Sequence, residues 1–146
     1  MRLNLQTDYA LRTLMHLAVN SDRLCTISEI SERFGISNNH LMKVANALGR
    51  AAIVETVRGR SGGLRLAKPA RDIRIGDVVR ITEADFAIVE CFEGGKAECL
   101  IMPSCRLRGA LKAACDAFLS VLDEYTLQEL VARNAGLKAL LQEDAA

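Results

Sequence analysis

Three cysteines, Cys91, Cys99 and Cys105, fall within the fifteen residues "CFEGGKAECLIMPSC", which also hold the adjacent glycines Gly94 and Gly95. A thiolate is a nucleophile, a redox centre and a soft metal ligand. The chain of 146 residues is long enough to bury a core without disulfides. Its five cysteines, an odd number, argue against a disulfide framework. Metal or redox chemistry is the better reading of the cluster, while Cys25 and Cys115 stand apart and read as packing.

Seven residues separate Cys91 from Cys99 and five separate Cys99 from Cys105, whereas paired zinc ligands usually stand about two to four residues apart. Zinc is therefore possible without being indicated. Soft thiolates on a glycine-bearing loop suit iron–sulfur ligation. A [4Fe–4S] cube takes one outside ligand at each iron, so three cysteines leave one position to another group; [2Fe–2S] is the alternative. A thiol redox switch without a cluster also stays open. An enzyme pairing Cys with His is disfavoured, because His16 and His40 both fall in helices of a DNA-binding pattern.

The second constellation is basic. Residues 1–35 sum to a charge of 0, 36–75 to +6, 76–105 to −4 and 106–146 to −1. A local positive block in a near-neutral chain points to a polyanion-binding face. Within it, Ser37 can cap a helix running to about Gly49, with Leu41, Val44, Ala45 and Leu48 on one side. The other side carries Asn38, Asn39, Lys43, Asn46 and Arg50, with His40 near the start. After it, Ile53 to Val57 and Leu64 to Ala67 read as two strands joined by a tip that holds Arg58, Arg60 and two consecutive glycines. Ser37, Asn39, His40 and Lys43 would approach the major groove and phosphates of duplex DNA, and Arg58 the minor groove. The Lys-Ser/Thr ending of a Walker loop is absent, which disfavours nucleotide hydrolysis.

The elements that must position these residues follow from periodicity. From Thr7 an apolar stripe predicts a first helix ending near Asn20. Thr26 and Glu29 form a capping box for a second, stopped by Gly35. With the helix after Ser37 and the basic hairpin, this is a winged helix-turn-helix. A short helix is expected around Asp77 to Glu83 and a long one from Arg106. On the long helix Leu107, Leu111, Ala114, Phe118, Val121 and Leu122 keep helical spacing, and its small alanines would let it pack on a second copy of itself. Thr126 and Glu129 predict a last helix over Leu127 to Arg133, with the chain fraying after Leu141. The expected fold is mainly α, with a winged helix-turn-helix at 1–84, a cluster-binding loop at 85–105 and a dimerisation helix with a C-terminal helix at 106–146. Asp8, Arg12 and His16 interrupt the N-terminal apolar run, so neither a signal peptide nor a membrane span is expected. A cytoplasmic location follows.

The stretches "SNNHLMKVANALGRA", "VRGRSGGLRLAKP", "IRIGDVVR", "PSCRLRGAL" and "YTLQELV" resemble the Rrf-type iron–sulfur transcription regulators, and among them the nitric-oxide-sensing repressors. The resemblance covers nearly the whole chain. It implies a homodimer that binds a palindromic double-stranded operator, with Cys91, Cys99 and Cys105 holding the cluster and nitric oxide as the signal. It also implies Asp8, in "QTDYALR", as a fourth ligand donated across the dimer. The IscR branch, which regulates cluster assembly, carries a ligand histidine three residues after the last cysteine, where this chain has Arg108. The longer first spacing resembles the iron-responsive RirA branch, which is the alternative sensor.

Overall fold

The computed structural model describes residues 2–93 and 99–142. Gly94, Gly95 and the segment after Gln142, where fraying is expected, lie outside the described residues.

Helix α1 (Leu5–Val19) starts two residues before Thr7 because Asn4 caps it, its side chain accepting from Thr7 N at 2.8 Å. The same asparagine donates to Thr82 O at 2.9 Å and to Glu83 at 3.0 Å, and its backbone N–H reaches Glu83 Oε1 at 2.9 Å. The first turn of α1 is thereby bolted to a segment nearly eighty residues away.

Helix α2 (Ile27–Phe34) has the expected capping box of Thr26 and Glu29 and ends at Gly35, whose φ of 64° is left-handed backbone that a side chain would strain. Helix α3 (Asn38–Arg50) is capped by Ser37, which accepts from His40 N. Strands β1 (Val54–Val57) and β2 (Gly63–Leu66) pair antiparallel, with Glu55 opposite Arg65. β1 lacks Ile53 of the expected run, and β2 keeps its expected length but begins and ends one residue earlier. Cys25 adds a further rung, exchanging backbone hydrogen bonds with Leu64 at 3.0 and 2.7 Å.

Helix α4 (Ile75–Thr82) begins before Asp77. Its start is fixed from outside by a bridge between Arg74 and Thr126 and by the bond from Ile75 N to Tyr125 O at 3.0 Å. Helix α5 (Arg106–Asp123) starts where expected. It is tied to α4 by the Arg80 guanidinium, which grips both Asp123 oxygens at 2.6 Å. A Cβ at Gly76 would overlap that carboxylate, so glycine lets the two helices close.

Helix α6 (Leu127–Val131) stops before Arg133, which takes left-handed backbone at φ 53°. A further helix, α7 (Ala135–Leu141), was not expected from the sequence. Asn134 caps it, while Asn20 and Arg33 donate to the carbonyls of Leu141 and Leu140 at 3.0 Å.

One core joins these elements. Leu14 and Leu17 of α1, Leu41 and Leu48 of α3, Val78 of α4 and Leu127 of α6 are all but sealed from solvent. Burying each such leucine stabilises the fold by ~1.5–3 kcal/mol. By contrast, no residue of α5 is buried.

Candidate nucleic-acid interface and metal-ligating loop

The periodicity of α3 separates its two faces. Leu41, Val44, Ala45 and Leu48 are buried, while Ser37, Asn38, Asn39, His40, Lys43, Asn46 and Arg50 are exposed. Ser37 is held, since its hydroxyl also lies 3.1 Å from His40 Nδ1. The His40 ring sits 5.7 Å from Tyr9 of α1, so the start of α3 rests on the first helix. Arg58 and Arg60 are exposed at the hairpin tip. Arg65 is engaged by Glu55 at 2.8 Å across the strands, which leaves the tip arginines as the wing's outward cations. The shape of the tip rests on Gly59, at φ 114°, and on Gly62, where a Cβ would overlap Val57 O.

Cys91 lies in a 3₁₀ turn over Glu90–Phe92, and Cys105 follows another over Met102–Ser104. Cys105 also occupies the N-cap position of α5, where free backbone N–H groups favour an anionic neighbour. Cys91 and Cys105 are half-buried and Cys99 is exposed. None of the five thiols is in a disulfide. Cys105 lines an open cavity of about 800 Å³, together with Phe92, Met102, Arg108 and Cys115. Cys91 and Cys99 do not line that cavity, and among the described residues the three loop thiols are not drawn into one ligand group; thiolates are nevertheless the donor type that iron–sulfur clusters take. Cys115, expected only to pack, is half-buried, and its thiol donates to Phe86 O at 3.9 Å.

Asp8 stands in the first turn of α1, partly exposed, and its carboxylate pairs with Arg12 at 2.6 Å. Among the described residues no interaction links it to a cysteine of its own chain. On α5, Leu107 and Val121 are 63% and 51% exposed. Ala114 is exposed as well, and Leu111 and Phe118 are half-buried. Leu122 packs against the core of its own chain, beside Leu119.

The sequence reading gave His16 no partner. It is fully buried, and its Nε2 lies 2.8 Å from Glu29 Oε1. Arg23 grips the same carboxylate at 2.5 and 2.9 Å. The Arg23 hydrogen bonds hold the Glu29 carboxyl at about 2, below its usual 4.5; burial opposes this and His16 adds to it. A depressed carboxylate stabilises the fold above its unfolded value and loses that contribution as pH falls through the folded one. In metal-free buffer, unfolding free energy is therefore expected to drop by ~1–3 kcal/mol between pH ~4.5 and ~2 on this account, with the lower end allowing for screening at half-exposed Arg23. Urea titrations of the parent and of Glu29→Gln check it: the acid-dependent loss should be smaller in the variant, and equal losses would contradict it.

The family model Rrf2, described as "Iron-dependent Transcriptional regulator", matches residues 3–133. The chain belongs to the Rrf2 family of transcription regulators. It is 48% identical to the HTH-type transcriptional regulator NsrR of Bacillus licheniformis, over 97% of this chain and 99% of that protein. It is 49% identical to the NsrR of Bacillus subtilis, over 97% and 98%. Among solved structures, the oxidised form of Staphylococcus aureus CymR matches at a TM-score of 0.72 and 25% identity, over 90% of this chain and 97% of that one. IscR of T. potens matches at 0.70 and 24%, over 90% and 86%, a likeness of fold. As an Rrf2 member similar to NsrR, the chain is a winged-helix regulator of transcription and mainly α, as its sequence predicts. No described helix is long and apolar enough to cross a membrane.

Proposed function

We propose that this regulator is a repressor that binds a palindromic double-stranded operator as a homodimer, holds an iron–sulfur cluster and releases DNA in response to nitric oxide. The observation that carries the reading is the pairing of a wholly exposed amide-and-cation face on α3 and the wing with three reduced thiols on the segment that leads into α5, the last of them at its N-cap. Asn38, Asn39, His40, Asn46 and Lys43 meet base edges and phosphates, Arg50 the backbone, and Arg58 and Arg60 the minor groove. Cys91, Cys99 and Cys105 hold the cluster, with Asp8 of the second subunit completing a [4Fe–4S] site; a [2Fe–2S] site is the alternative. When bound, the cluster supplies iron that nitric oxide can attack.

The chain's own residues turn that event into a change at DNA. The Asn4–Glu83 lock sets α1, and so Asp8, against the end of α4, just before the thiol-bearing segment. Tyr9, next to Asp8, touches His40 at the start of α3. Loss of a cross-subunit ligand would shift α1 and, through it, the spacing of the two α3 helices. The exposed Leu107, Ala114 and Val121, with Leu111 and Phe118, give α5 its partner face, while Leu122, expected on that face, packs against its own core instead. The reading assigns DNA binding to residues 1–84, cluster binding to 85–105 and dimerisation to 106–146, in a cytoplasmic protein. A second reading, iron status as the signal, draws on the seven-residue first spacing and on the family's description as iron-dependent.

Operator binding by fluorescence anisotropy, at fixed salt and without oxygen, tests both. Cluster-loaded protein should lose at least ~tenfold in affinity on stoichiometric nitric oxide, a free-energy shift of ~1.4 kcal/mol. Cys99→Ser should bind operator weakly throughout and carry no cluster absorbance. Intact binding after nitric oxide, with loss on iron removal, would replace the first reading with the second.

A further inference from the structure

We propose that His16, Cys25 and Glu29 form a second metal site, separate from the loop cysteines, for a zinc-like thiophilic divalent cation at the junction of α1, α2 and the wing. One ligand atom from each lies within 4.8 Å of the others. Ligands on tetrahedral zinc stand ~3.3–3.8 Å apart, as bond lengths of ~2.0–2.3 Å require. Closing around a cation therefore takes shifts of ~1 Å, within the reach of side chains.

Each donor is held by something else. Cys25 is fixed by its paired backbone bonds to Leu64, Glu29 by the capping box of α2, and His16 by the last turns of α1. Cys25 and His16 are both fully buried, so the site is shielded from water on their side. The second observation is that the His16 ring is fully buried with Nε2 turned to Glu29 Oε1 at 2.8 Å, while Nδ1 has no hydrogen-bond partner, so Nε2 is the nitrogen that faces the carboxylate donor. A thiolate, an imidazole and a carboxylate are a donor set that zinc accepts, with water in the fourth position. Binding transfers the Cys25 thiol proton to water as the sulfur–metal bond forms.

Arg23 is the gate. Its guanidinium occupies both Glu29 oxygens and repels a cation; it also donates to Leu24 O at 3.2 Å and Asn20 Oδ1 at 3.3 Å, and its side chain is 34% exposed, so a cation must displace these bonds to reach the carboxylate. Metal and guanidinium thus compete for one carboxylate.

The test uses the full chain with Cys91, Cys99, Cys105 and Cys115 changed to serine, so that Cys25 is the remaining thiol. Cobalt(II) added without oxygen should give a thiolate-to-cobalt absorption in the near ultraviolet and visible tetrahedral bands, saturating at one equivalent and displaced by zinc. Arg23→Gln in that background should bind cobalt at least ~fivefold more tightly, a gain that a merely structural arginine would not give. Circular dichroism without metal checks that each variant is folded. Where the four-serine chain fails to fold, zinc stoichiometry of the unaltered chain should exceed that of Cys25→Ala by one. Absence of the thiolate band in the folded chain, or equal zinc stoichiometries, overturns the site.

Discussion

Leu127→Ala is expected to unfold with ~2–5 kcal/mol less free energy than the parent, the cost of a fully buried leucine cavity. The position lies far beyond the helix-turn-helix in sequence, yet Leu127 is 0% exposed and belongs to the cluster that holds Leu14, Leu41 and Leu48. Its backbone N–H also reaches Ile73 O at 2.9 Å, beside the Arg74–Thr126 bridge. Helix α6 packs on α1 and on the 3₁₀ turn at Ala70–Asp72, and α1 in turn packs on α3, so α1 cannot collapse into a cavity there without moving α3. The denaturation midpoint should fall while the denaturant slope is unchanged, with α3 and α6 melting together. A variant that leaves the midpoint within ~0.5 kcal/mol of the parent would show that α6 is an appendage to the DNA-binding unit.

Gly62→Ala is expected to weaken operator binding by ~10- to 100-fold while shifting global stability by less than ~1 kcal/mol. A Cβ at this position meets Val57 O and, at 2.9 Å, Gly59 O. Both are backbone atoms, so no side chain can rotate out of the way. The turn that bonds Gly62 N to Gly59 O at 3.0 Å must open, carrying Arg58 and Arg60 with it. Removing an arginine from a base edge or phosphate costs ~1–3 kcal/mol of binding, and two displaced arginines set the range. The wing tip contributes no residue to the core, which is why the fold should survive. Salt-controlled anisotropy beside thermal melts separates the effects; unchanged affinity would remove the wing tip from the interface.

The winged-helix half was legible because its signals are local. The capping box at Thr26 and Glu29, the stop at Gly35, the cap at Ser37 and the apolar spacing of α3 are each set within a few residues. What escaped is non-local. Helix α7 follows a weak pattern and depends on Asn20 and Arg33, more than a hundred residues earlier, to cap its last carbonyls. The start of α4 is set by Thr126 and Tyr125, and the start of α1 by Glu83. His16 looked like a polar break in an amphipathic helix, because its partner Glu29 was already accounted for as a cap. A side chain doing two jobs hides one of them. In the thiol loop the residue types were readable, while the proposed fourth donor, Asp8, came only through resemblance to the family and would act from a second subunit, which spacing in one chain does not reveal.

The rung that Cys25 adds to the hairpin has a consequence for how this protein fits its operator. The two hydrogen bonds exchanged by Leu64 and Cys25 make the wing part of the same rigid piece as the stretch leading into α2, with Gly63 too close to Cys25 O for any side chain to loosen the joint. The wing is not a finger that bends to find its groove. Where helix and wing must reach adjacent grooves at a fixed separation, the misfit falls on the duplex, which has to change groove width or bend. In the proposed docking, sequences that deform easily at the wing position should therefore be favoured even where no side chain touches a base.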